Sequence, residues 1–214
     1  MTPKLLLIIL DACRPDGLAQ AQTPHLDSLW QTGAYTWTAR SVMPSVTLPA
    51  HMTMFRSVPP EQHGVGEDNI FAPGAAAFPS VLDVAKQAGL HTAMFYSWEQ
   101  LRDLAAPGSL DMSYCRAARK GEDSDTPVAE AAAAYLVAEQ PDLCVLYMGD
   151  IDLTGHAAGW MSPAYIAAIE ANDRAIGHVL AVLAANGLRA QYTILALADH
   201  DGHDHGHGTD APED

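Results

Sequence analysis

Short apolar runs alternate with stretches of helical periodicity along the chain. Five runs have the length of strands, at residues 5–10, 35–39, 91–98, 143–148 and 192–198. Helical patterns lie between them, at residues 24–31, 48–56, 81–88, 126–139 and 163–187. This order predicts an α/β fold with a doubly wound, mostly parallel sheet and helices on both faces. We expect one domain over residues 1–214, in which residues 101–125 form a loop or a small cap.

Acidic side chains follow three of the apolar runs at the point where each run ends. The aspartates concerned are Asp11, Asp150, Asp152 and Asp199. In an open α/β sheet, ligands bind outside the carboxyl ends of the strands, so we expect these carboxylates to share one crevice. His156 and His200 lie near them in the sequence. Clustered Asp and His residues at strand ends predict a metal site.

Asp152 and His156 stand four residues apart, with Gly155 between them. A carboxylate and an imidazole at this spacing, with a glycine that permits a tight turn, predict that both bind one ion from a loop. A helix N-cap aspartate followed by a surface histidine is the alternative interpretation. Asp150 competes with Asp152 as the ligand, although Asp152 has the better spacing and Asp150 could be its supporting partner.

Asp199 and His200 are adjacent and follow a buried strand, so both could reach a metal where the chain turns away from the sheet. Further histidines follow at alternate positions: His203, His205 and His207. A histidine-rich tail often binds metals unspecifically, but its position directly after a strand favours a role in the same site. The sequence leaves open which of the three would bind.

The segment PSVTLPAH (44–51) places hydroxyl groups before a predicted helix. Thr47 lies where backbone N–H groups and the helix dipole favour anions, so it is either a metal-bound nucleophile or an N-cap. Ser45 is the alternative hydroxyl. We expect His51 to pack on the helix face rather than to bind a metal.

The net charge limits the possible partners. Its value of −15 at pH 7 repels duplex DNA and anionic membranes, and no basic patch in the sequence offsets it. A phosphate ester would need bound cations to approach such a surface. The charge and the predicted metal site therefore support each other.

The cysteines and the first apolar run predict the compartment. Cys13, Cys115 and Cys144 are odd in number and lack CxxC spacing, which favours a reducing compartment over disulfides or a thiolate zinc site. The run at 5–10 ends in an aspartate without a small-residue cleavage site, so we interpret it as a strand and not as a signal peptide. We expect a cytoplasmic protein.

These segments together resemble the alkaline phosphatase superfamily, and within it the nucleotide pyrophosphatase/phosphodiesterase branch. The chain has counterparts of six family segments. They are the first strand with its metal aspartate, the nucleophile loop and helix, the stretch with a substrate-contacting asparagine, and three metal motifs. In chain order these are LLLIILDACRPDGL (5–18), PSVTLPAHMTMFRSVPPEQHGV (44–65), GEDN (66–69), DLTGH (152–156), LADHDGH (197–203) and HGT (207–209). They occur in the family's order.

The resemblance implies two divalent metal ions. One would be held by Asp152, His156 and His207. The other would be held by Asp11, Asp199 and His200. Thr47 would be the nucleophile on this second ion, while Asn69 and the backbone N–H after Thr47 would hold phosphoryl oxygens. Zinc is implied because mixed Asp and His ligands suit it, with manganese or iron as alternatives.

The activity implied by the resemblance is hydrolysis of a phosphodiester or a pyrophosphate through a phospho-enzyme on Thr47. The substrate would be a small phosphate ester, for example a nucleotide. A phosphomonoesterase or phosphomutase of the same superfamily is an alternative, and a non-catalytic metal-binding protein is an alternative of another class. The sulfatase motif Cys/Ser-x-Pro-x-Arg does not occur at the nucleophile position.

The chain departs from the family pattern in three places. Asp201 replaces the glycine that commonly follows the Asp-His pair, and Arg56-Ser57 replaces Thr-Gly after the nucleophile helix. The chain also ends seven residues beyond His207, whereas the family continues into further strand and helix. This predicts a C-terminally truncated form of the family's fold.

Overall fold

A parallel sheet forms the centre of the computed structural model, which describes residues 4–208; residue 209, the last of the HGT segment, lies outside them. The five strands have the order β3-β2-β4-β1-β5. They are β1 (Lys4–Leu10), β2 (Thr92–Tyr96), β3 (Met112–Cys115), β4 (Leu143–Met148) and β5 (Tyr192–Leu197). The helices are α1 (Pro15–Gln20), α2 (Pro24–Thr32), α3 (Thr47–Arg56), α4 (Pro60–His63), α5 (Val81–Gln87), α6 (Asp125–Ala138), α7 (Asp150–Ala158) and α8 (Pro163–Ala185).

Helices cover both faces of the sheet, and each face has its own apolar core. On one face, α2, α6 and α8 contribute residues such as Leu26, Val128 and Ile176. On the other face, α3 and α5 contribute residues such as Met52 and Leu82. Every residue of β4 is buried, as expected for a central parallel strand that is covered on both sides. The predicted α/β architecture is confirmed.

The strand order explains why distant parts of the chain meet. β1 lies between β4 and β5, with Leu10 level with Met148 and Ile9 level with Leu197. Because all these strands are parallel, their carboxyl ends lie at one edge of the sheet. The residues that follow β1, β4 and β5 are therefore neighbours in space.

The prediction of a strand at residues 35–39 is wrong. This segment has no regular structure. Tyr35 and Trp37 are exposed, and their rings pack against Trp30 with centroid distances of 5.5 and 6.2 Å. The alternation of aromatic and polar residues therefore reflects a surface aromatic cluster and not strand pairing.

Residues 101–125, expected to form a loop or a small cap, contain the edge strand β3. This strand has only four residues, and its exposure alternates along its length. Tyr114 packs against Phe95 of β2 at a centroid distance of 6.0 Å. A run this short has too few residues to show a period. Within residues 4–208, no helix is both long enough and apolar enough to cross a membrane.

The departure at Arg56-Ser57 lies at the end of α3. Ser57 adopts a left-handed conformation with φ of 55°, and its N–H donates to Thr53 O at 2.8 Å. Glycine favours this conformation, and a residue with a Cβ loses about 1 kcal/mol there. Arg56 is buried and donates to the carbonyls of Phe78, Asp103 and Leu104.

We expect Arg56→Met to lower the free energy of unfolding by about 2–4 kcal/mol, because three carbonyls would lose their charged donor in a buried position. Urea unfolding measures this loss. Arg102→Met is the matched control, since the Arg102 side chain is 59% exposed, and we expect it to change stability by less than about 1 kcal/mol. Equal effects of the two substitutions would contradict this role of Arg56.

Candidate metal centre and nucleophile

The carboxyl ends of β1 and β5 bring together Asp11, Asp199 and His200. All three are buried, with at most 3% of each residue exposed. The Nε2 atom of His200 lies 3.2 Å from Asp11 Oδ1 and 3.6 Å from Asp199 Oδ2. These ligand atoms are close enough to surround one ion. The structure thus assembles one of the two predicted ligand sets.

The second predicted set, Asp152, His156 and His207, is assembled beside the first. Asp152 Oδ1 lies 3.4 Å from His156 Nε2 and 3.6 Å from His207 Nε2. The two Nε2 atoms are 3.1 Å apart. Tetrahedral ligands at zinc distances are separated by about 3.3–3.6 Å, so this spacing fits a common ion. The rings of His200 and His207 are 4.1 Å apart between centroids, which places the two sets side by side.

Backbone carbonyls fix the orientation of the three imidazole rings. The Nδ1 atoms of His156, His200 and His207 lie 3.0, 2.8 and 3.2 Å from the carbonyl oxygens of His205, Asp201 and Ser45. A carbonyl only accepts, so each Nδ1 carries the proton and each Nε2 is left to bind a cation. The Nε2 atoms of His156 and His207 then face each other, an arrangement that a cation shared between them would satisfy.

Unpaired carboxylate oxygens give a second test of whether the site fits metal ions. Within residues 4–208, four buried carboxylate oxygens have no hydrogen-bond partner: Asp11 Oδ1, Asp150 Oδ1, Asp152 Oδ1 and Asp199 Oδ2. Buried anionic oxygens are costly unless they are paired or bind a cation. Three of the four, those of Asp11, Asp152 and Asp199, belong to the two ligand sets. The donor types and their placement therefore fit divalent cations.

Burial and neighbouring charges shift the pKa values of several side chains in the centre. Burial and the neighbouring Asp11 raise the pKa of Asp152 to about 8, and burial and Asp199 raise the pKa of Asp11. Burial would lower the pKa of His200, but the carboxylates of Asp199 and Asp11 outweigh it and raise the pKa to about 10. Without divalent cations, a proton on His200 Nε2 would balance part of the acidic cluster, and a bound cation would take the place of this proton.

His207 differs from His200 in its protonation. Burial and the neighbouring His200 and His156 lower the pKa of His207 to about 4. The ring is therefore neutral at pH 7, which is the form that binds metals. His205 lies elsewhere: its Nδ1 is 3.3 Å from His156 O. The backbone of His203 pairs with Gly206. The geometry favours His207 as the last ligand, because its Nε2 lies 3.6 Å from Asp152 Oδ1 and 3.1 Å from His156 Nε2.

Thr47 lies next to the first ligand set. It is the first residue of α3, and Val46 is the N-cap. The N-cap interpretation of Thr47 is therefore wrong. Its hydroxyl oxygen is 3.1 Å from His200 Nε2, and only 5% of the residue is exposed. The Ser45 hydroxyl makes no hydrogen bond within residues 4–208, so Thr47 is the hydroxyl that contacts the centre.

Asn69 contacts the start of α3 directly. Its Oδ1 accepts a hydrogen bond from Leu48 N at 2.9 Å. The resemblance implies that the backbone N–H after Thr47 holds a phosphoryl oxygen. In the structure this N–H belongs to Leu48 and already donates to Asn69. Because an N–H can only donate, the carbonyl end of the Asn69 amide must face it. The Nδ2 group of Asn69 remains as a donor at this position.

The DLTGH segment lies on a helix and not on a loop, which corrects the sequence prediction. It belongs to α7, where residues four apart share a face, so Asp152 and His156 still meet. Gly155 is not in a tight turn either. A Cβ at Gly155 would lie 2.6 Å from the indole of Trp160. The glycine is needed for this close packing.

Trp160 supports the second ligand set, and sequence reasoning missed it. Its indole lies between Gly155 and Gly202, where a Cβ would come within 2.6 and 2.4 Å of it, respectively. It contacts the rings of His156 and His207 at centroid distances of 4.9 and 6.0 Å. The nearby glycines were the only signal in the sequence. Trp160 thus holds the tail and α7 at the spacing the two histidines need.

Two more side chains near the centre have defined roles. Tyr147 in β4 donates its hydroxyl to Asp11 Oδ2, which leaves Oδ1 facing His200. Burial and Asp11 raise the pKa of Tyr147 well above its usual value, so it stays a donor. Cys13 is buried, and burial raises the pKa of its thiol to about 12. It packs in the apolar core beyond the end of β1.

Asp150 points away from the metal centre. Its Oδ2 accepts from Ser124 N and Asp125 N at 2.8 and 3.0 Å. In return, the two Asp125 oxygens accept from Gly149 N and Asp150 N at 3.0 and 2.8 Å. The first residues of α6 and α7 thus cap each other's helix. Asp150 neither competes with Asp152 nor supports it directly.

This reciprocal cap makes stability depend on pH. Burial and the neighbouring Asp150 raise the pKa of Asp125 to about 7. A carboxyl with a raised pKa in the folded state stabilises the fold fully below its unfolded pKa of about 4, and this contribution is lost as pH rises to about 7. We expect the free energy of unfolding of metal-free protein to fall over this interval by on the order of 1–3 kcal/mol.

Urea unfolding between pH 4.5 and 8 measures this dependence. Asp125→Asn should show a flatter pH profile than the wild type, because the variant has no titrating group at this position. The slope is the readout, since the amide also loses one of the two accepted hydrogen bonds and lowers stability at every pH. Identical slopes for both proteins would contradict the assignment.

The remaining departure, Asp201, does not disturb the turn after the Asp-His pair. Its φ is not among the positive values found in residues 4–208, so glycine is not needed there. Its carbonyl accepts from His200 Nδ1. Burial raises the pKa of its side chain to about 6. Asp199 and His200 both reach the centre despite this substitution.

Comparison with known proteins confirms the resemblance. The family profile described as type I phosphodiesterase / nucleotide pyrophosphatase matches residues 5–209. Ectonucleotide pyrophosphatase/phosphodiesterase family member 3 of Mus musculus is 25% identical over 222 residues, covering 92% of this chain and 25% of that protein. The chain thus spans about a quarter of this relative's length.

Solved structures support the same fold. Murine ectonucleotide pyrophosphatase/phosphodiesterase 5, an inactive threonine-to-alanine variant in complex with AMP, matches with a TM-score of 0.76 and 20% identity, over 93% of this chain and 57% of that chain. A 2-O GAG sulfatase matches with a TM-score of 0.79 and 15% identity, over all of this chain and 62% of that chain. At these identities the likeness concerns the fold alone.

Proposed function

Since this chain belongs to the type I phosphodiesterase / nucleotide pyrophosphatase family, we propose that it hydrolyses phosphodiester or pyrophosphate bonds with Thr47 as the nucleophile. The observation that carries this proposal is the contact of 3.1 Å between Thr47 Oγ1 and His200 Nε2. This contact puts a hydroxyl at the edge of one cation-binding set, next to the other. The Tyr147 hydroxyl also contacts the first set, but it donates to Asp11 Oδ2, and burial and Asp11 raise its pKa well above the usual value.

Two divalent cations, held by Asp11, Asp199 and His200 and by Asp152, His156 and His207, would supply Lewis acidity and neutralise phosphate charge. Zinc suits these mixed carboxylate and imidazole sets, and manganese or iron are alternatives. The negative surface makes such charge necessary, because the net charge of −15 repels any phosphate ester.

Thr47, Asn69 and the N-terminus of α3 would each have a separate role in the reaction. Thr47 Oγ forms a bond to phosphorus while the bond to the leaving oxygen breaks, which gives a phosphothreonine and a free alcohol or phosphate. Water cleaves the phosphothreonine and restores the hydroxyl. Asn69 Nδ2 would donate to a non-bridging phosphoryl oxygen, since Asn69 Oδ1 already accepts from Leu48 N. The N-terminus of α3 adds a favourable dipole for the anion.

The proposed substrate is a small phosphate ester, with nucleotides in the first place. Support comes from the solved relative that contains AMP. A diester is favoured over a monoester because the resemblance lies with the phosphodiesterase branch. The substrate preference also separates this proposal from a phosphomonoesterase or phosphomutase of the same superfamily.

The test uses the 214-residue chain loaded with zinc or manganese. We expect release of p-nitrophenol from bis-p-nitrophenyl phosphate and from the p-nitrophenyl ester of thymidine monophosphate, at a higher kcat/KM than from p-nitrophenyl phosphate. A preference for the monoester would favour the alternative activity. Tight binding of two ions without any turnover would favour a non-catalytic metal-binding protein and contradict the proposal.

A further inference from the structure

His51 connects the nucleophile helix to a ligand of the metal centre. It lies one turn after Thr47 on α3 and is fully buried. Its Nδ1 is 2.7 Å from the carbonyl oxygen of Thr47 and 3.3 Å from Asp199 Oδ2. The carbonyl only accepts, so Nδ1 carries the proton. One N–H group therefore faces both the backbone of Thr47 and the carboxylate of Asp199.

The other ring nitrogen of His51 does not stabilise the fold at this position. Within residues 4–208, His51 Nε2 is buried without a hydrogen-bond partner. The ring lies between Phe55 and Tyr147, at centroid distances of 6.2 and 5.3 Å. An unpaired buried polar atom costs about 1–3 kcal/mol. An apolar side chain at this position would fold with less penalty, so packing alone does not account for a histidine here.

We propose that His51 is a positioning residue whose Nδ1–H group fixes Asp199 relative to Thr47. This goes beyond the expectation that His51 only packs on the helix face, and it rests on the proposed function of the centre. Asp199 also accepts from Ala12 N at 3.2 Å through its other oxygen, Oδ1. The two donors together fix the carboxylate plane, which determines where Oδ2 points. Groups that orient a metal ligand in this way typically contribute 10–100-fold to metal affinity.

Two nearly isosteric substitutions separate positioning from packing. In His51→Asn, the side-chain amide can place a donor at the position of Nδ1. In His51→Leu, a methyl group takes the same position without a donor. Both substitutions remove the outer part of the ring and its unpaired nitrogen. They therefore create similar space, and they differ in whether an N–H group faces Asp199 Oδ2.

The experiment measures zinc affinity by competition with a chromophoric chelator and thermal stability of the same proteins without metal. We expect the asparagine variant to bind zinc within about threefold of the wild type and the leucine variant to lose about 10–100-fold. We expect the opposite order for stability, with leucine above asparagine, because the amide oxygen of asparagine would be buried and unpaired. Cobalt absorption spectra should change in the leucine variant only.

Several results would overturn the proposal. One is a leucine variant that binds zinc as tightly as the wild type. Another is a loss of affinity that follows the loss of stability in both variants, which indicates packing alone. A wild type that binds zinc and shows this order of affinities, but does not hydrolyse esters, would contradict the proposed function and support the role of His51. A wild type without tight zinc binding would contradict both.

Discussion

Thr47→Ala should reduce turnover by at least about 10³-fold while the metal content stays near that of the wild type. Thr47 supplies the proposed attacking oxygen, and the neighbouring Tyr147 hydroxyl already donates to Asp11 Oδ2. The ligand sets consist of carboxylates and imidazoles, so removing one hydroxyl leaves them intact. Hydrolysis of bis-p-nitrophenyl phosphate and zinc analysis of the same sample measure the two quantities.

Two further variants make this result specific. Thr47→Ser keeps the oxygen and should retain substantial turnover. Ser45→Ala removes a hydroxyl of the same loop that makes no hydrogen bond within residues 4–208, and we expect turnover close to that of the wild type. Turnover by the Thr47→Ala protein at a wild-type rate would remove the nucleophile from the mechanism, whatever the metal content.

The positions of the site residues could be predicted from the sequence because they depend on a simple rule. Apolar runs predicted β1, β4 and β5, and residues after parallel strands meet at one edge. Asp11 and Asp199 follow this rule directly. The rule does not reveal that β1 lies between β4 and β5, since strand order depends on how the helices pack. The ligand sets themselves came from the family resemblance.

The local structure around Asp152 could not be predicted in the same way. A four-residue spacing suits both a loop and one helical turn, and the glycine favoured the loop. In the structure, Gly155 is needed because Trp160 packs against α7. A close contact between residues on different elements leaves no period in the sequence. The short edge strand β3 was not predicted, and a strand at residues 35–39 was wrongly predicted. Both segments pack against residues outside their own run, and such contacts are not visible in the local pattern.

Supporting side chains are also difficult to recognise from the sequence. Tyr147 is one of several apolar or aromatic residues in a buried strand, and nothing in the run indicates that its hydroxyl faces Asp11. His51 has the spacing of an ordinary helix-face residue. Their roles follow from which buried polar atoms are paired and which are not. This information exists only once the three-dimensional arrangement is known.

Asp152→Asn should lower zinc binding from about two ions per chain to about one, with a loss of turnover of at least about 10²-fold. The amide keeps the shape of the side chain but loses the charge that faces His156 and His207. Equilibrium dialysis followed by metal analysis measures the stoichiometry. Unfolding of the Asp152→Asn protein would also lower zinc binding and turnover, but we do not expect this variant to unfold. Burial and the neighbouring Asp11 raise the pKa of Asp152 to about 8, so a neutral side chain at this position should not destabilise the metal-free protein.

Asp150→Asn is the matched control, because Asp150 has the same chemistry two residues away. Its carboxylate accepts from the N-terminus of α6 and does not face the histidines. We expect this variant to keep about two zinc ions, with its effect confined to stability. The sequence alone ranked the two aspartates by spacing, whereas the structure separates them by the direction of their side chains on α7. If the control lost an ion and Asp152→Asn did not, the assignment of ligands at the end of β4 would have to be reversed.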